Sequence, residues 1–131
     1  MTGIAIFAHG SSVETANEAV REFTAGLARY GQFDLIETSF LELGNPGLPE
    51  AVRRLVERGA TEVVVVPYFL TLGIHLKRDL PRIVGELRNI YVGIRFDIAE
   101  PMDGHPALLQ ILLDRAKEVL HGGSGTASAA D

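Results

Sequence analysis

The stretch Ile4-Ala5-Ile6-Phe7-Ala8-His9-Gly10-Ser11-Ser12 decides how the chain is read. Five apolar residues in succession, followed by small and turn-forming ones, are the pattern of a strand covered on both faces and the loop that leaves it. From Val13 the apolar residues recur at Ala16, Val20, Phe23 and Leu27, the spacing of one helix face. Ser11 or Ser12 is placed to cap that helix and Gly31 to end it. The unit is strand, loop, helix.

The same unit recurs along the chain. Residues 35–41 read as a second strand, Asn45-Pro46-Gly47 as a turn, and Leu48, Ala51, Val52, Leu55 and Val56 as a helix face that stops at Gly59. Residues 63–69 form a third strand, and Thr71-Leu72-Gly73-Ile74-His75 the loop after it. A third helix follows with Leu80, Ile83, Val84 and Leu87 on its face and Pro81 in its first turn, where the missing N–H costs nothing. Residues 94–98 alternate like an edge strand, and residues 106–120 close with a helix.

Strict βα alternation demands a parallel sheet with right-handed crossovers. The expected architecture is α/β: a doubly wound four-stranded parallel sheet of order 2-1-3-4 with helices on both faces. Ligands bind such sheets beyond the carboxyl ends of the strands, at the switch between strands 1 and 3, where the following loops carry His9 and His75. Residues 1–121 are expected to form a single domain; residues 122–131, small and polar, read as a disordered tail or linker.

Composition narrows the function classes. The chain has 131 residues, 47% of them hydrophobic, enough for a core without staples. It has no cysteine, which removes disulfides, thiolate-ligated metals and thiol nucleophiles. Its 12 Lys and Arg against 17 Asp and Glu give a net charge of −5, which argues against a duplex nucleic-acid partner. No apolar run approaches the roughly 18 residues of a membrane span, and the first basic residue is Arg21, so neither a membrane anchor nor a signal peptide is expected. The expected compartment is the cytoplasm.

Three side chains on the carboxyl-end loops carry candidate chemistry: His9, His75 and Glu42. Two imidazoles and a carboxylate suit a divalent first-row metal, and three protein ligands leave positions open for a substrate. Lys77, Arg78 and Arg82 place three cations near the start of the third helix, where they oppose the helix dipole. An anionic ligand explains them better than helix stability does. With Ser11 they form the candidate substrate-binding set.

The segments Ala8-His9-Gly10-Ser11, Phe40-Leu41-Glu42-Leu43 with Asn45-Pro46-Gly47-Leu48-Pro49-Glu50-Ala51, Val65-Val66-Pro67-Tyr68-Phe69-Leu70, and Gly73-Ile74-His75-Leu76-Lys77-Arg78-Asp79-Leu80-Pro81 together resemble the class II chelatases. That family comprises the sirohydrochlorin cobaltochelatases and ferrochelatases and the related nickel enzyme. The likeness runs from about residue 4 to residue 120 and includes Gly104-His105-Pro106-Ala107-Leu108. It implies ATP-independent insertion of Co²⁺, Fe²⁺ or Ni²⁺ into sirohydrochlorin, with the metal as substrate and no organic cofactor. By the resemblance, His9 and His75 handle the metal and act in catalysis, and Glu42 assists. Metallation releases two pyrrole protons, which histidines are suited to accept. Ser12 stands where many members have arginine, and Ile74 where a second glycine is common. Long members hold two such lobes, so the resemblance implies a homodimer for this short chain.

Other functions leave different marks. A histidine phosphatase places Arg before its His-Gly pair, and here Ala8 stands there; a receiver domain needs an Asp after strand 3, where this chain has Pro67-Tyr68-Phe69. No Gly-x-Ser-x-Gly segment supports an esterase. A metal or tetrapyrrole carrier without turnover has the same residues, and only an insertion assay separates it.

Overall fold

The computed structural model describes residues 1–121. The expected tail, residues 122–131, lies outside them. Four parallel strands, β1 (Thr2–Ala8), β2 (Leu35–Phe40), β3 (Glu62–Pro67) and β4 (Arg95–Ile98), form one sheet in the order β2-β1-β3-β4. Helices α1 (Glu14–Ala25), α2 (Leu48–Glu57), α3 (Ile74–Ile90) and α4 (Ala107–Leu120) alternate with them. Sheet order and alternation are those the sequence predicts.

The sheet register shows where the core lies. Ala5 pairs with Val65, and Gly3 with both Leu35 and Val63, which puts Ala5, Phe7, Leu35, Val63 and Val65 on one face. That face packs on Leu48, Val52 and Leu55 of α2 and on Leu80, Val84 and Leu87 of α3, all buried. The β-branched run in β3 suits a pleated surface, and Pro49 opens α2 where its missing N–H is harmless.

The opposite face differs from expectation. The buried residues of α1 are Asn17 and Thr24, whereas Phe23, on its apolar stripe, is 71% exposed. Thr24 Oγ1 lies 2.6 Å from Thr38 Oγ1 of β2, so a polar contact anchors the helix there. The apolar stripe instead borders an open groove of about 450 Å³ lined by Ile6, Phe23, Leu27, Tyr30, Val66 and Tyr68. Periodicity identified the helix correctly and its buried side wrongly, because an apolar stripe is buried only where something covers it.

Other expectations change locally. Neither Ser11 nor Ser12 caps α1: Val13 occupies the cap position, and the Ser11 hydroxyl accepts from the Val13 N–H at 3.0 Å. The helix tightens into a 3₁₀ turn over Gly26–Tyr30, ending at Gly31 with φ +73°. Helix α3 begins at Ile74, so His75 sits in its first turn and Pro81 lies inside the helix. Leu76 explains the earlier start, since it packs on the core one turn before buried Leu80. Strand β3 ends at Pro67, leaving Tyr68 and Phe69 beyond it.

The described residues divide into two compact units, one spanning Met1–Pro101 and a second beginning at Met102. Within the second unit the apolar residues of α4 are exposed, Leu109 by 72% and Leu120 by 79%.

Leu55→Ala removes a fully buried side chain and is expected to cost about 2–5 kcal/mol in urea unfolding. Phe23→Ser is expected to stay within about 0.5 kcal/mol of wild type. A large loss at Phe23 would return the α1 stripe to the core.

Candidate metal-handling site

Strand β1 delivers His9 to the carboxyl end of the sheet, and its hydrogen-bond ladder continues past the last strand residues. Leu41 N–H donates to Ala8 O at 2.8 Å and Glu42 N–H to His9 O at 3.2 Å. These two bonds lay the residues after β2 alongside those after β1, so the Glu42 side chain projects beside His9. Gly10 permits the approach: with φ +96°, a Cβ there would lie 1.8 Å from the Glu42 carbonyl oxygen. No other residue fits that position.

The His9 ring is oriented on both sides. Its Nδ1 lies 3.0 Å from the Gly10 carbonyl oxygen. A carbonyl only accepts, so Nδ1 carries a proton, and in the neutral ring Nε2 is the nitrogen left with a lone pair. Backbone carbonyls orient metal-binding imidazoles in the same way. Phe69, just beyond β3, meets the His9 ring edge-on at a centroid distance of 6.3 Å and stacks in turn toward Phe7 at 6.0 Å.

Nε2 of His9 is 3.9 Å from Oε2 of Glu42, too long for a hydrogen bond. Two ligands each about 2.0–2.2 Å from one first-row ion span such a gap after a small side-chain adjustment. The side chains are 61% and 57% exposed, so solvent screens their attraction and the pair contributes little to stability. Exposure also removes any burial cost at Glu42.

Helix α1 grips both loops from below. Buried Asn17 accepts from the Ser11 N–H at 2.8 Å and donates to Ser11 O at 2.8 Å and to Leu43 O at 3.1 Å. Arg21 donates through Nε to Asn45 O at 3.0 Å, and its guanidinium lies 5.3 Å from the centre of the Phe40 ring. Arg21 also pairs with Glu14 at 2.9 Å and Glu18 at 2.6 Å. The Arg21 hydrogen bond, followed by that from Asn17, holds the Glu14 carboxyl below the usual carboxylate range. Its bond to Glu14 in turn raises the Arg21 guanidinium further above its ordinary value.

A crevice of about 230 Å³ opens over these residues, lined by His9, Gly10, Ser11, Asn17, Phe40 and Tyr68 among others. His75 is absent from its lining. The structure brings His9 and Glu42 together, but among the described residues no three His, Cys, Asp or Glu side chains are arranged to hold an ion. His75 has a different partner: Nη2 of Arg78 is 3.2 Å from its Nδ1. A guanidinium only donates, so here Nδ1 accepts and the neutral ring carries its proton on Nε2.

The three candidate cations near the start of α3 differ. Arg82 is paired with Glu86 at 3.0 Å, and Arg78 lies between His75 and Asp79, 3.4 Å from the latter. Lys77 is exposed in the first turn of the helix. Asn17, Arg21 and Phe69 were missed in the sequence. Asn17 is a small amide four residues after Val13, which occupies the cap position, and its polarity within the helix is the one signal the sequence offered for it.

Comparison with known proteins places this geometry. The CbiX family profile matches residues 3–119. The sirohydrochlorin cobaltochelatase of Sulfolobus acidocaldarius is 36% identical over 120 residues, covering 92% of this chain and 94% of that protein. The crystal structure of the CbiX protein of Marinobacter aquaeolei superposes with a TM-score of 0.78 at 29% identity, covering 92% of this chain and 98% of that one. The sirohydrochlorin chelatase SirB of Bacillus subtilis subspecies spizizenii, solved in complex with cobalt, gives a TM-score of 0.83 at 28% identity. It is matched over 90% of this chain, which spans 50% of SirB. With a matching profile across nearly its whole length and a relative of equal length above 30% identity, the chain belongs to the CbiX family.

Proposed function

We propose that this chain is a chelatase that inserts a divalent first-row metal into sirohydrochlorin. The observation that carries the reading is the His9–Glu42 pair, an imidazole nitrogen 3.9 Å from a carboxylate oxygen, with His9 in the lining of the β1 crevice. Cobalt is the favoured metal, because the relatives are cobaltochelatases and SirB was solved with cobalt as well as with iron. The N/O donor set itself accommodates Fe²⁺ and Ni²⁺.

The chemistry asks little permanence of the protein. The ion is cargo, so a site that binds it through two exposed side chains releases it readily to four pyrrole nitrogens. The metal enters and two N–H protons leave, which requires acceptors beside the macrocycle. His9 offers Nε2 while free of metal. His75 offers Nδ1 once Arg78 turns from it, and a substrate carboxylate is the partner that would draw Arg78 away. On this account Ser11, Lys77, Arg78 and Arg82 hold the substrate's carboxylates, and carboxylate binding frees the base.

A crevice of about 230 Å³ is smaller than the roughly 300–1,000 Å³ of a typical small-molecule site. A second copy supplies the opposite wall, and with it the third metal ligand that one lobe does not gather. The working form is therefore a homodimer with the cleft between copies. The same reading treats residues 1–121 as one domain and assigns the protein to the cytoplasm. No helix among the described residues is long and apolar enough to cross a membrane.

Purified protein incubated with sirohydrochlorin and Co²⁺ is expected to yield the metallated product catalytically, followed by its absorption change. Stoichiometric binding without turnover would mark a carrier instead. His9→Ala and His75→Ala are each expected to lower kcat by about 10²-fold or more with unchanged melting temperature. Full activity in either variant removes that residue from the mechanism.

Replacing Lys77, Arg78 and Arg82 by Gln is expected to raise KM for sirohydrochlorin and to flatten its dependence on ionic strength. An unchanged KM at all salt concentrations would leave them as a solvated surface. Sedimentation at micromolar concentration is expected to show a dimer, and a monomer with full activity would overturn the shared cleft.

A further inference from the structure

We propose that Asn17 is a positioning residue that sets the spacing of His9 and Glu42 by tying their two loops to one buried amide. The inference deepens the chelatase reading and rests on it for the reaction, though not for metal binding. Asn17 is 1% exposed, although it stands on a helix whose other buried residue is Thr24. A buried amide is retained only when its hydrogen bonds are met, and here all but the contact with Glu14 lead to the two site loops.

The bonds fall into two groups. On the His9 side, Oδ1 accepts the Ser11 N–H and Nδ2 donates to the Ser11 carbonyl, each at 2.8 Å, so the amide pairs with Ser11 as a strand neighbour would. The Ser11 N–H can only donate, which fixes the orientation of the amide. On the Glu42 side, Nδ2 donates to Leu43 O at 3.1 Å. Leu43 has φ +62°, a conformation that non-glycine residues rarely adopt, so its peptide is held rather than relaxed. The same Nδ2 lies 3.2 Å from Glu14 Oε1, the weakest of its contacts. At the next residue, Gly44, a Cβ would come within 3.0 Å of Nδ2, so the loop lies directly on the amide.

Only a side chain with donor and acceptor on one planar group serves both loops. Serine is too short to reach both, and aspartate accepts from Ser11 but cannot donate to Leu43. Asn17→Asp therefore keeps the volume and the acceptor for the Ser11 N–H, but it loses both donations, that to Leu43 O, which is the Glu42-side tether, and that to Ser11 O. Arg21, bonded to Asn45 O, keeps the loop on the helix but acts three residues beyond Glu42.

The test uses the full chain and Co²⁺. Asn17→Asp is expected to raise KM for Co²⁺ about 10-fold or more, in line with the usual cost of losing a group that orients a metal ligand, while KM for sirohydrochlorin stays at the wild-type value. In a Glu42→Gln background the further effect of Asn17→Asp is expected to vanish. A wild-type KM for Co²⁺ in Asn17→Asp, or an equal fold-loss in both backgrounds, overturns the proposal in favour of a purely structural role. If Asn17→Asp loses its native circular dichroism, Asn17→Ser carries the same comparison with the same outcomes. Titration with Co²⁺ alone, read by visible absorption, separates the two ideas. Weaker binding in the variant supports the role of Asn17 even if wild type forms no product, a result that would overturn only the chelatase reading; equal binding overturns the role of Asn17.

Discussion

Two backbone hydrogen bonds govern the site: Leu41 N–H to Ala8 O and Glu42 N–H to His9 O. They carry the parallel pairing of β1 and β2 beyond the regular ladder, into residues that in most sheets diverge toward separate helices. The main chain thereby sets which side chains meet. His9 follows the last residue of a strand buried along nearly all its length, and the residue whose N–H meets its carbonyl oxygen is an acid, Glu42. Rigidity inherited from the sheet places an imidazole without burying it, so the ring stays open to solvent.

Much of this organisation was legible in the sequence. The apolar runs of β1 and β3, the alternation of βα units and the 2-1-3-4 order all follow from patterns that depend only on neighbouring residues. So did the meeting of His9 and Glu42, since two strands adjacent in the sheet must end side by side. The buried side of α1 was not legible. Phe23 and Leu27 have the spacing of a core stripe, but Thr24 and Asn17 hold the helix to the sheet through hydrogen bonds that no hydropathy pattern records. The start of α3 was misplaced because Pro81 was taken as a marker of the first turn. Leu76 and Leu80 outweigh it, since burial of two leucines offsets the loss of one helical hydrogen bond.

His75 illustrates the distance between a residue's location and its state. Its place at the carboxyl end of the sheet followed from topology. Its contact with Arg78 did not, although the i, i+3 spacing brings the two onto one helix face. The two histidines consequently rest in opposite tautomers, His9 with Nε2 open and His75 with Nδ1 covered.

Gly10 has a consequence for how such a site changes over generations. Its Cα faces the Glu42 carbonyl with no room for a side chain, whereas Gly73, before α3, has nothing within 4 Å of the space a Cβ would fill. One glycine is locked and the other is free. A substitution at residue 10 must therefore move the Glu42 main chain, and with it the carboxylate beside His9, whereas one at residue 73 leaves the start of α3 in place.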